Sequence, residues 1–111
     1  MEIIKDYALD DLDLAIILAI GKKWNSNRKI HRKVIELSKL LNIKIECIDD
    51  YCEDVAERLN SISRIPVWLK IGYRYKLNEL GRIVYDFIIE KLKEQKREDI
   101  LKILNNFENK I

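Results

Sequence analysis

The chain is poor in the residues that interrupt regular structure. Its 111 residues include 3 Gly and 1 Pro, so few tight turns are available and helices are expected to dominate. One histidine, His31, is present, which removes the usual imidazole pair of a zinc site, and no metal or cofactor is expected. The two cysteines, Cys47 and Cys52, match no zinc or redox spacing. In a chain that reads as intracellular they are expected to be free structural thiols. There is no glycine-rich phosphate loop and no nucleophile–base set, so an enzyme is not expected. The longest apolar run, Leu14 to Ile20, is far too short for a bilayer. The start, Met1-Glu2-Ile3-Ile4-Lys5-Asp6, has no basic region ahead of an apolar one, so a cytoplasmic location is expected. An excess of one charge is missing too. With 21 Lys+Arg against 19 Asp+Glu the net charge is +2, and any argument about partners must rest on where the charges lie.

What remains is 48% hydrophobic and 36% charged, enough for one domain with a single core. The abundance of Ile, Lys, Glu and Tyr suits a thermophile or an AT-rich genome. Residues 1–10 form an arm. Asp10 or Asp11 can cap a first helix running to about Trp24, apolar nearly all round and therefore buried on most sides. Asn25-Ser26-Asn27 has turn chemistry. A second helix is predicted from about Asn27 to Leu41, with Ile30, Val34, Leu37 and Leu41 inward. Arg28, Lys29, Arg32 and Lys33 cluster at its start, and His31 reads as a surface residue among them. Residues 42–48 form a linker with room for a short strand. A third helix is predicted from Asp50 to Ser61, with Asp50 and Glu53 as a capping box. Asn78 can cap a fourth helix carrying Leu80, Ile83, Val84, Phe87, Ile88 and Leu92. Ile100, Leu104, Phe107 and Ile111 then recur at 4-3-4 spacing, one side of a short seam. It is either a separate fifth helix or a continuation of the fourth. Its stripe would dimerise the protein, or pack back on the first helix.

Between the third and fourth helices, Val67 to Leu77 alternates apolar and polar about Gly72, the period of a half-buried ribbon. Pairing Lys70 with Arg74 leaves a loop of Ile71, Gly72 and Tyr73. Val67, Leu69, Tyr75 and Leu77 then share one face, and Trp68, Lys70, Arg74 and Lys76 the other. On that face Trp68 would offer its indole to a partner, or cover the edge of a neighbouring helix.

The segment Tyr75-Lys76-Leu77-Asn78-Glu79-Leu80-Gly81-Arg82 resembles the end of the wing in winged-helix DNA-binding domains, as in small prokaryotic or archaeal transcriptional regulators. There a Tyr-x-Leu strand is followed by Thr or Asn, two residues, Gly-Arg and an amphipathic helix. The resemblance covers about Asp11 to Leu92. It implies a mainly α winged helix-turn-helix in the order helix, helix, helix, hairpin, helix, with the C-terminal helix of residues 93–111 added for homodimerisation. It also implies double-stranded DNA as partner. Trp68, Lys70, Arg74 and Lys76 would be the wing contacts, and Arg58, Asn60 and Ser61 those of the third helix. Arg28, Lys29, Arg32 and Lys33 would touch the backbone. The chain departs from the family in its third helix, whose outer side bears Asp50, Glu53, Asp54 and Glu57. Carboxylates near phosphates are repelled. The alternative is a winged-helix protein-interaction module whose acidic third helix binds a basic partner. No small-molecule ligand and no membrane are implied.

Overall fold

Helix α1 (Asp11–Ile20) is the centre of the molecule. Every residue from Leu12 to Ile20 is buried, as its all-round apolar sequence requires. Asp10 caps it: its Oδ1 accepts from Asp13 N at 3.0 Å, and Asp13 Oδ2 accepts from Asp10 N at 3.2 Å. The computed structural model describes residues 9–61 and 67–109. Residues 1–8 of the N-terminal arm, 62–66 and 110–111, with Ile111 of the expected seam, lie outside the described residues.

Around α1 are β1 (Asn25–Ser26), α2 (Asn27–Leu41), β2 (Cys47–Ile48), β3 (Tyr51–Cys52), α3 (Glu53–Asn60), β4 (Trp68–Ile71), β5 (Arg74–Leu77), α4 (Glu79–Glu94) and α5 (Glu98–Asn109). The protein is thus mainly helical with a small antiparallel hairpin. Ile30, Val34 and Leu37 of α2, Val55 and Leu59 of α3, Tyr75 and Leu77 of β5 and Val84, Ile88 and Leu92 of α4 close one core with α1. Asn42 ends α2 in the left-handed region at φ 57, a conformation Asn tolerates. Lys96, at φ 56, separates α4 from α5, so the last helix is a distinct element. Its Ile100 and Leu104 are buried in the common core. Of the stripe expected to receive a second copy, Ile100 and Leu104 are covered by their own chain, chiefly α2 and α4, and Phe107 packs half-buried against the same core.

Two expectations fail at the strands. First, β4 and β5 pair Ile71 with Arg74 and Lys70 with Tyr75, one residue out of the predicted register. Gly72 takes φ 61 as the first residue of a two-residue turn, the loop that best matches strand twist. The slip exchanges the faces of β4. Trp68 and Lys70 now share a side with Leu77 and Tyr75, whereas Leu69 and Ile71 stand exposed beside Lys76 and Arg74. Second, Asn25-Ser26 is not only a turn: it pairs with β5 as an added strand, giving the sheet order β1-β5-β4.

The approach to α3 also differs. Asp49 and Asp50 turn the chain between β2 and β3, with Asp49 at φ 55. Cys47 and Cys52 meet across this pair and form a disulfide, so they are not free thiols. A spacing that looks open in sequence becomes direct opposition once the hairpin closes. Helix α3 starts only at Glu53, with Cys52 at its cap and no side-chain capping bond. The predicted capping box is absent because Asp50 is turned toward α2.

Candidate nucleic-acid interface

Ser26 Oγ caps α2 by accepting from Lys29 N at 3.3 Å. The same residue lies opposite Arg74 in the β1–β5 pair, and Asn27 N donates to Tyr73 O at 2.8 Å. The sheet therefore fixes the N-terminus of α2 against the tip of the hairpin. Arg28, Lys29, Tyr73 and Arg74 are all exposed there. The helix dipole at the start of α2 adds partial positive charge to the same place, although the Asn27 and Lys29 amides are already bonded within the protein. Lys76 belongs to the outer side of β5, with its Nζ 5.9 Å from the centre of the Trp24 ring.

The other expected cations are engaged within the protein. Arg32 Nε lies 2.9 Å from Asp50 Oδ2; the exposed Arg28 is only loosely drawn to the same carboxylate, its Nη2 3.8 Å away. Lys33 is half-buried; its Nζ bonds Asn25 Oδ1 at 3.3 Å and lies 5.1 Å from the centre of Phe107. Lys70 Nζ donates to Asn60 Oδ1 at 2.8 Å and stands over Tyr75. Trp68 is half-buried and donates from Nε1 to Leu59 O at 3.2 Å, so it covers the end of α3 and does not project outward. The register slip puts Trp68 and Lys70 on the side of Tyr75 and Leu77, where Trp68 is half-buried and Lys70 stays exposed.

Of the α3 set, Arg58 is not a free contact. Its guanidinium is bonded to Asp10 and lies 3.1 Å from Asp13 Oδ1, which pins α3 to the start of α1. Asn60 accepts from Lys70, and from Tyr75 OH at 3.4 Å, while its own amide donates to Ala56 O at 2.8 Å. Ser61 is half-buried at the helix end. Glu53, Asp54 and Glu57 stand on the exposed side of α3, and none has an ion pair among the described residues.

His31 was expected at the surface and is instead 1% exposed. Its Nδ1 accepts from Cys52 N at 2.9 Å, and its ring stacks on Tyr51 with centroids 5.2 Å apart. The imidazole takes the amide of the N-cap residue, as an N3 side chain does in a capping box, while α3 itself has no side-chain cap. Burial pushes its pKa below the usual histidine value. The capping role follows from the position of β3, for which the local sequence carries no signal.

No described helix is long and apolar enough to cross a membrane. Among the described residues, no three His, Cys, Asp or Glu side chains come together as a metal cluster. No family model, curated protein or solved structure matches the chain.

Proposed function

We propose that the protein binds double-stranded DNA in the manner of a winged-helix regulator, with β4–β5 as the wing. The observation that carries this reading is the β1–β5 pairing, which joins two cationic groups separate in sequence into one exposed surface. Arg28 and Lys29 from the start of α2 and Arg74 and Lys76 from β5 can reach phosphates together, aided by the dipole of α2. Helix α3 is then not the electrostatic anchor, since its cation is held by Asp10 and Asp13.

The test is fluorescence anisotropy of the full chain with random-sequence duplex at low and physiological salt. Binding at low salt that weakens as salt rises is expected. No binding at low salt rejects the reading. A second reading rests on Glu53, Asp54 and Glu57, an exposed acidic side of α3 without ion pairs in the described residues. It makes the domain a docking module for a basic protein segment. Under it, a Lys-rich peptide binds, and Asp54→Asn with Glu57→Gln abolishes that binding while leaving DNA untouched.

A further inference from the structure

Among the described residues, Ile83 and Phe87 are the large apolar side chains that a helix leaves in solvent, 60% and 42% exposed. They lie one turn apart on α4, on the side away from Val84, Ile88 and Leu92, which enter the core. Glu79 precedes Ile83 by four residues and Lys91 follows Phe87 by four. The four therefore form one continuous ridge of the kind that packs into the groove of another helix. Read along the helix, the ridge is acid, aliphatic, aromatic, base.

That order is complementary to its own reverse. In an antiparallel pair of α4 helices, Ile83 meets Phe87 of the second copy and Glu79 meets Lys91 of the second copy, each twice by symmetry. A parallel pair would set Glu79 against Glu79 and Lys91 against Lys91. The neighbouring ridge obeys the same rule, because reversal brings Arg82 toward Glu90 of the second copy. Asp86, which comes nearest its own counterpart, is already paired with Lys22 at 3.2 Å. The present partners of Lys91 are Glu94 at 3.4 Å and the face of Phe87. Both are exposed contacts that yield readily to a better one.

We propose that α4 is the self-association surface of this protein, on which a second copy packs antiparallel about a two-fold axis level with Tyr85. The interface is isologous, so the dimer closes on itself and does not propagate. None of Arg28, Lys29, Arg74 and Lys76 lies on α4. The dimer therefore stands or falls independently of DNA binding.

Sedimentation equilibrium of the full chain tests it. A dimer is expected, and Ile83→Lys should raise its dissociation constant about tenfold or more. Circular dichroism should show the helices of that variant intact. Glu79→Lys alone should also weaken the dimer, and adding Lys91→Glu should restore it, since the two charges meet only in the antiparallel arrangement. A monomeric wild type, an Ile83→Lys dimer of unchanged affinity, or failure of the double reversal to restore association would each overturn the proposal. So would dissociation by Ile71→Lys without dissociation by Ile83→Lys, which would move the interface to the edge strand β4.

Discussion

Asp13 has no solvent exposure on a helix that is otherwise apolar from Leu12 to Ile20, and Arg58 is what makes it tolerable there. Burial pushes the Asp13 carboxyl upward, while the amide of Asp10 and the Arg58 guanidinium oppose that shift. Removing the arginine leaves a buried carboxylate without its cation, which typically costs about 3–5 kcal/mol. Arg58→Ala is therefore expected to lower the urea midpoint strongly, and Arg58→Lys to recover part of the loss, because a single nitrogen, Nη1, serves both carboxylates and an ammonium keeps the charge on a shorter stem. His31 makes a second residue-scale prediction. Its native pKa lies below the free value of 6.5 because burial disfavours the cation. The unfolded chain thus takes up the proton first, and stability is full above about pH 6.5 and falls as pH drops from there toward the native pKa. Protonation would also cancel the acceptor that holds Cys52 N. Urea titrations at pH 7.5 and 5.5 should show this loss in the wild type and a smaller one in His31→Gln. Equal pH dependence in both would place the titrating group elsewhere.

At the scale of elements, the junction between hairpin and α4 is the tightest constraint. Asn78 caps α4 by accepting from Gly81 N at 2.8 Å, and Asn78 N donates to Val67 O at 3.1 Å. A Cβ on Gly81 would lie 2.0 Å from Val67 O, so this glycine is needed for close backbone approach. Gly81→Ala is expected to cost roughly 1–3 kcal/mol and to displace β4 from β5, read as a lowered thermal midpoint with weakened DNA binding. Much of the helical frame was legible in advance. The range of α2, the Asn78 cap and the all-round burial of α1 follow from spacing and capping chemistry, which are local. The misread parts are tertiary. Nothing within Asn25-Ser26 says that it will pair with a strand some fifty residues away. The hairpin register turned on whether Gly72 opens or centres the turn, and alternation alone fits both. Asp50, Arg58 and His31 looked like surface groups because partners that come from another helix leave no periodic trace. The Cys47–Cys52 disulfide belongs to the same class, created by the Asp49-Asp50 turn. It also weakens the inference from cysteine to a reducing compartment, although intracellular proteins of hyperthermophiles do carry disulfides.

For the molecule as a whole, 21 cationic and 19 anionic residues nearly cancel, so the proposed binding of DNA requires the two signs to be segregated. The fold does this by moving cations out of play as well as by gathering them. Arg58 is held by Asp10 and Asp13, the half-buried Lys33 and the exposed Lys70 are bonded to Asn25 and Asn60, and Asp50 holds Arg32 at 2.9 Å and Arg28 at 3.8 Å. Among the described residues expected at DNA, Arg28, loosely held by Asp50, Lys29, Arg74 and Lys76 are the proposed phosphate contacts. If each neutralises one phosphate, the slope of log affinity against log salt should be about −3.6. Arg74→Ala with Lys76→Ala should flatten it by about 1.8, for every duplex sequence alike. Asp50 gives the sharper experiment, because it acts on the basic surface without belonging to it. Its pairing with Arg32 is exposed and weak, so a phosphate can compete for the guanidinium. Asp50→Asn removes that competitor and a repulsive charge together. It should raise affinity at low salt and steepen the slope by about 0.9 as Arg32 gains a phosphate of its own. An Asp50→Asn variant that binds DNA no better than the wild type would mean that the start of α2 lies away from the duplex, leaving the hairpin as the sole electrostatic contact.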